Sequence, residues 1–373
     1  CTQAERKALF PGVRGARKDE WITHCLGRHD DERIRRVIER SYGWVNLAQP
    51  RLIHLVQLLF FGDDHQDTST FVLQDLGLMR FEDYELDRSR RLFGERSALD
   101  RYLRLRRLDR LVHRLDEAEG LSEWLGPALW MDTVTRQEQR QRDRTLNRLG
   151  QHHERRGDLG RALECYGRSR MHPSRERRAR ILAKLEDGEG AKHLLQKMAR
   201  SPRCAEEVDF AGRFGRRSRG SDQPVTTIPL TSQPETNIEA HACELLSMGG
   251  AFAFHLENAL PRSLAGLAYW DEIFEQLPGA FINPFQAGPL DLFWPDVAEA
   301  RSDAIARRTA ALSEPGAMHR ALARTFERKA GVANRMVSWR HFDETVLAVL
   351  LRYVPEDALL ALAQHVIRWP YRT

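Results

Sequence analysis

The sequence predicts a mainly α-helical chain of two or three domains. Its 373 residues exceed one ordinary core, since domains average about 100 to 200 residues. From Tyr102 onward, Leu105, Leu108, Leu111, Val112 and Leu115 recur at intervals of three and four with arginines between them, so one helix face packs and the other is basic. Further on, small and aromatic residues fall at the offsets of a paired-helix repeat. A hydrophobic content of 42% against 30% charged residues supplies enough apolar material for buried cores and excludes a disordered chain.

Taken in order, Thr2 and Glu5 have the spacing of a capping box that starts a first helix. Pro11-Gly12 breaks it, and a second helix from about Arg17 to Leu26 should bury Trp21, Ile22 and Cys25 or Leu26. Arg14, Arg17 and Lys18 lie at the turn between them. This short basic helix-turn-helix resembles a SAP-type DNA-binding module over about 30 residues, and a plain helical hairpin accounts for the same pattern. The block Phe71 to Leu78 suits a buried helix or a strand, and its periodicity does not choose. Leu149, Gly150, His153, Gly157, Ala162 and Tyr166 match the offsets of a tetratricopeptide repeat, in which small residues let two helices approach and the aromatic fills between them. Pro173 arrives one residue earlier than that pattern expects. One copy is clear, and a stable stack needs about three, so neighbouring repeats must be degenerate. Arg213 to Pro234, rich in Gly, Ser, Pro and basic residues, reads as a connection between domains. Asn237 to Met248 reads as a helix. Glu257 begins a second helical stretch with Leu260, Leu264, Leu267, Ala268 and Phe274 on its apolar side, and helical patterning continues to Thr373.

The net charge is +5 and the pI about 9.1, which leans towards an anionic partner. The excess is concentrated: between Arg136 and Lys184, fifteen Arg or Lys stand against six Asp or Glu. Only six of the 58 basic residues are Lys, so a general arginine bias with a solvated helical surface gives the same count. The five cysteines form no C-x-x-C pair, which argues against a zinc knuckle or a disulfide framework and for a reducing, cytoplasmic setting. The longest apolar run, Leu52 to Phe61, is interrupted by His54 and Gln57 and falls short of the roughly 20 residues of a membrane span. The first residue is Cys1 and not Met, so further residues at either end are expected.

From Ala251 the chain reads AFAFHLENALPRSLAGLAYWDEIFEQLPGAFINPFQAGPLDLF and later GVANRMVSWRHFD. This resembles the VRR-NUC nuclease domain of the Fanconi-associated nuclease family, in which an early Glu lies thirteen residues before a Trp-Asp pair. Here these are Glu257 and Trp270-Asp271. Asn283 to Phe293 and the upstream block Ser69 to Phe93 also resemble the family, and with the SAP-like start and the repeat helices the likeness runs through nearly the whole chain in the family's order. A bacterial member fits best.

The resemblance implies a mainly α chain: an N-terminal SAP-containing DNA-binding domain over 1–100, a tetratricopeptide-like domain over 101–215, and over 235–373 a VRR-NUC domain of the α/β PD-(D/E)xK type, incomplete at its C-terminal end. It implies a structure-specific DNA nuclease, a 5′-flap endonuclease and 5′-to-3′ exonuclease acting in interstrand crosslink repair, cytoplasmic and nucleoid-associated in a bacterium. Clustered carboxylates would hold Mg²⁺ or Mn²⁺, which polarises the scissile phosphate and acidifies a bound water, and Glu257 would be the catalytic and metal-side carboxylate. An acidic residue opening a helix is also what the macrodipole favours. Arg140 and the pair Arg177-Arg178 would grip a 5′-terminal phosphate of flap or branched DNA, with Arg17 and Lys18 as further DNA contacts; guanidinium forks donate two parallel hydrogen bonds to such a group.

The family's Gly-Leu-Pro-Asp and Glu-x-Lys strands do not appear where they should. Pro295-Asp296 and Glu327-Arg328-Lys329 imitate them, but Glu327 lies in a helical pattern, where residues two apart diverge by about 200 degrees, whereas strand residues two apart share a face. The alternative function is a non-catalytic helical-repeat DNA-binding scaffold. A protein-binding repeat adaptor, a third reading, would not need the basic window.

Overall fold

The computed structural model describes residues 6, 8–13, 18–41, 49–62, 68–86, 92–116, 120–215, 238–248, 250–294 and 297–370. Thr2, Glu5, Arg14, Arg17, Asn237, Pro295-Asp296 and most of the 213–234 connection lie outside the described residues. The described chain is mainly helical, with one isolated parallel bridge between Arg80 and Val332. It divides into two compact units, Cys1–Leu58 and Leu59–Thr373.

In the first unit the turn at Pro11-Gly12 precedes α1 (Lys18–Arg28) and α2 (Asp31–Ser41). Phe10, Val13 and Cys25 are buried together, with Trp21, Ile34 and Val37 against them. Ile22, expected inside, is 41% exposed. Trp21 and Cys25, four apart, define the stripe facing Phe10, and the next residue points about 100 degrees away from Trp21. α3 (Pro50–Phe61) carries the longest apolar run, and no helix among the described residues is long and apolar enough to cross a membrane.

The second unit contains α4 (Ser69–Asp75), so the block that periodicity leaves open is helical over most of its length. α5 (Arg96–Val112) and α6 (Leu121–Leu129) follow, and Leu105, Leu108, Val112, Leu125 and Leu129 form a shared core with Leu146 and Leu149 of α7 (Arg136–Arg155). Thr135 caps α7: its side chain accepts from Glu138 N at 3.1 Å while Glu138 Oε2 accepts from Val134 N at 2.8 Å. The other Glu138 oxygen takes Arg101 Nε at 3.0 Å, tying the cap to α5. α7 and α8 (Leu159–Arg168) make the hairpin that the repeat spacing predicts. A Cβ at Gly150 would lie 2.9 Å from the Tyr166 ring, and Gly157 takes the positive φ of the turn, so both glycines are required. α9 (Ser174–Lys184), α10 (Gly188–Arg200) and α11 (Ala205–Arg213) continue the stack through Ala179, Leu194, Met198 and Phe210.

After α12 (Ile238–Ser247), the C-terminal core is built around α13 (Ala259–Ala268), whose residues from Ser263 to Ala268 are all buried. Gly266 lets the Met336-Val337 segment close on that helix: an added Cβ would meet Val337 Cγ2 at 2.7 Å. α14 (Trp270–Ile273), α15 (Val297–Ala300), α16 (Ser302–Leu312), α17 (Ala317–Lys329), α18 (Glu344–Tyr353) and α19 (Glu356–Arg368) surround it. The sequence pattern predicts helix throughout this region, but residues 275–294 are turns. Between 280 and 288 one side chain supplies much of the order. Gln286, 5% exposed, accepts from Ile282 N at 2.6 Å and Asn283 N at 3.2 Å and donates to Ala280 O at 3.1 Å and Gly288 O at 3.2 Å. Backbone groups that a helix would have paired internally are satisfied by an amide instead.

Candidate nucleic-acid interface

Glu257 stands two residues ahead of α13, on the solvent side, with φ of 45°. That left-handed backbone is costly for a residue with a Cβ. The carboxylate is therefore outside the helix rather than in its first turn, where the macrodipole alone would have put it. It makes no hydrogen bond or ion pair among the described residues. No three His, Cys, Asp or Glu side chains among the described residues come together as metal ligands.

The imitation motif resolves as helix chemistry. Glu327 and Lys329 both lie on α17, and Lys329 Nζ donates to both oxygens of Glu82 at 2.7 Å. Glu82 also accepts from Trp270 Nε1 at 2.6 Å. The Trp of the Trp-Asp pair is thus an internal anchor, bound to an acid from the upstream block. Tyr84, two residues on, donates to Asn283 O at 2.9 Å and accepts from Gln286 N at 2.8 Å. Both upstream and downstream blocks that carry the resemblance meet in one structure. Sequence spacing does not single out Glu82, because its partners lie nearly 190 and 250 positions away.

The basic window folds into a concavity. A cavity of about 400 Å³ opens between α6, α7, the end of α8, α9, α10 and the turns joining them, lined by Arg142, Arg168, Arg170, Arg175, Arg178, Lys197 and Arg203, with Asp132 as its acidic member. Three of these cations are paired with carboxylates, Arg168 with Glu164 at 3.9 Å. Arg175, buried, donates to Glu207 Oε1 at 2.8 Å and to Glu207 Oε2, and Arg142 pairs with Asp143 at 3.0 Å. Arg168 lies over the Trp130 ring at 4.3 Å. Arg170, Arg178 and Lys197 have no ion pair among the described residues, and Arg178 Nε is enclosed without an acceptor. Burial, then the neighbouring Arg175 charge, pulls the Arg203 guanidinium below its ordinary pKa. Like charges gathered around a cavity with unsatisfied donors leave it short of negative charge, and tetrahedral oxyanions supply acceptors of that geometry.

Of the residues expected to hold phosphate, the cavity takes one. Arg178 lines it. Its neighbour Arg177 points to Glu154 at 3.4 Å, and Arg140 lies 4.4 Å over the Trp294 ring, bridging α7 to the C-terminal core. Lys18 opens α1 in the other unit, and Arg17 is outside the described residues. Lys197 and Arg203 lie beyond the basic window of the sequence; Lys197 comes from α10 and Arg203 from the turn before α11, and folding brings both to the cavity.

The sequence is 31% identical over 326 residues to the Fanconi-associated nuclease 1 homolog of Pseudomonas aeruginosa, a match covering 82% of this chain and 56% of that protein. By sequence and by fold, the chain is a relative of the Fanconi-associated nucleases. Shorter stretches match the homologs of Arabidopsis thaliana, at 28% identity over 31% of this chain and 13% of that protein, and of Schizosaccharomyces pombe, at 39% over 14% of this chain and 8% of that protein. The crystal structure of paFAN1 bound to 5′-flap DNA of two nucleotides with a gap superposes with a TM-score of 0.72 at 26% identity, covering 99% of this chain and 70% of that one. No family model matches the chain. The chain spans little more than half the length of the bacterial Fanconi-associated nuclease it matches. The four described cysteines, Cys25, Cys165, Cys204 and Cys243, are free thiols.

Proposed function

We propose that this chain is the DNA-holding part, with the opening portion of the catalytic domain, of a structure-specific nuclease that acts on 5′ flaps, trims from a 5′ end and serves in interstrand crosslink repair. The observation that carries the reading is the arginine-lined cavity in the repeat helices. Its Arg170, Arg178 and Lys197, without ion pairs among the described residues, suit DNA phosphate, with a terminal 5′ phosphate as the expected occupant. The solved relatives, bound to 5′-flap DNA, support the same substrate class. The domains are proposed as 1–100 for DNA binding, 101–215 for the repeats and 235–373 for the nuclease portion, with Arg17, Lys18, Arg140 and Arg177 as further DNA contacts.

Mg²⁺ or Mn²⁺ chemistry is the family's, and Glu257 is its candidate ligand here. The described residues do not by themselves fit such an ion, because no three acidic, thiol or imidazole side chains among them come together as ligands, around Glu257 or elsewhere. No catalytic step is therefore assigned to them. The same observation favours a second reading, a DNA-binding scaffold without its own cleavage. Both readings are tested by incubating the 373-residue chain with a labelled 5′-flap duplex. Tight binding that weakens steeply with salt is expected, without cleavage in Mg²⁺ or Mn²⁺, and Glu257→Ala should leave affinity within about twofold because its carboxylate holds no described neighbour in place. Absence of flap binding, or salt-independent binding, would overturn the DNA-holding role. Cleavage by the chain would rule out the scaffold.

A further inference from the structure

A second cationic cluster lies on the C-terminal core, apart from the repeat-helix cavity. Arg262, in the first turn of α13, and Arg335, on the segment leading to Trp339, both set their guanidinium groups over the ring of Phe293, at 5.4 and 4.9 Å. Neither side chain has a carboxylate partner among the described residues, since Asp291, the acid nearest in sequence to Phe293, is taken by Arg301 at 3.0 Å. Arg262 Nε is enclosed with no acceptor, while Arg335 is exposed. Burial and the Arg335 charge together lower the Arg262 pKa. Surface arginines ordinarily splay apart into water. These two converge on one aromatic face, which attracts each cation and leaves their mutual repulsion unrelieved.

The ring is itself held in place. Phe293 is partly buried against the C-terminal core, so the two arginines meet a fixed platform rather than a loose loop. A phosphate diester bridging the two forks would supply the missing counter-charge through charge-assisted hydrogen bonds.

We propose that Arg262 and Arg335 form a binding site for a backbone phosphodiester, holding a DNA strand at the end of α13 that carries Glu257. The site rests on the flap-DNA reading but uses none of the residues that line the repeat-helix cavity.

The test is fluorescence anisotropy of a labelled 5′-flap duplex with the 373-residue chain, titrated across about 50 to 200 mM salt, where phosphate contacts register as slope. Arg262→Gln and Arg335→Gln should each weaken binding about five- to tenfold and reduce the slope of log affinity against log salt by about 1. Arg335→Lys should recover the slope. If the unaltered chain binds while both glutamine variants keep affinity within about twofold and the full slope, the site is refuted and the functional reading survives. If the unaltered chain binds no flap DNA, both fall. Circular dichroism reports whether the Arg262→Gln variant folds; should it not, the exposed Arg335 position decides alone.

Discussion

Replacing Glu82 with Ala should cost about 3 kcal/mol, and the figure follows from three hydrogen bonds. Glu82 accepts twice from Lys329 and once from Trp270, and the two charged side chains are 13% and 21% exposed. Deleting the carboxylate leaves the indole N–H buried without an acceptor, a loss of about 1 to 3 kcal/mol. It also leaves an ammonium at one-fifth exposure without its counter-ion, which adds about 1 to 2 kcal/mol, less than the roughly 3 to 5 of a fully buried pair because water still reaches it. Glu82→Gln keeps one acceptor oxygen, which the indole and the ammonium must share, and loses the charge and the second acceptor, so about 1 to 2 kcal/mol is expected. Urea denaturation followed by tryptophan fluorescence gives the comparison, with the midpoint moving and the slope unchanged. A double-mutant cycle with Lys329→Ala should return a coupling of about 1 to 2 kcal/mol. A loss below about 0.5 kcal/mol for Glu82→Ala, or zero coupling, would refute the claim that this carboxylate fastens the upstream block to the C-terminal core.

Gly150→Leu should destabilise the α7–α8 hairpin by about 2 to 3 kcal/mol, since the first added carbon already lies 2.9 Å from the Tyr166 ring, and thermal melts read it directly. Arg178→Ala and Lys197→Ala together should lower the salt dependence of flap binding by about 2 units of slope, while an unchanged slope would take the cavity off the DNA path. His153 is buried in α7 and burial lowers its pKa from the usual 6.5, so the folded chain binds fewer protons there than the unfolded one. Its contribution is present at neutral pH and is lost as pH falls below about 6.5; His153→Gln should flatten the loss of melting temperature between about pH 7 and 5.

Local features of the fold are legible in the sequence because they are periodic or stereochemical. The α5 stripe, the Gly150–Tyr166 contact and the helical setting of Glu327 and Lys329 each follow from neighbours within about twenty residues. Ile22 shows the limit of that reading, since a short helix with two adjacent apolar residues does not say which one faces inward. The cavity is legible only as composition. An arginine at every second or third position tells that a helix face is basic, but Arg177 turns to Glu154 and Arg178 to the cavity for reasons of one helical step, about 100 degrees, that depend on where the next helix lies. Glu82 and the Arg262–Arg335 pair act through partners brought near only by tertiary folding, and no spacing rule reaches them.

The stitching of residues 80–84 to residues 270–333 means that the entire helical stack from α5 to α11 is spliced into the middle of another core. A ribosome making about 5 to 20 residues per second leaves the upstream segment waiting on the order of ten to fifty seconds for the core it joins. During that interval Tyr84 and Leu86 have no hydrophobic surface to join, and the nascent chain is at its most vulnerable to proteases and to association with other unfinished copies.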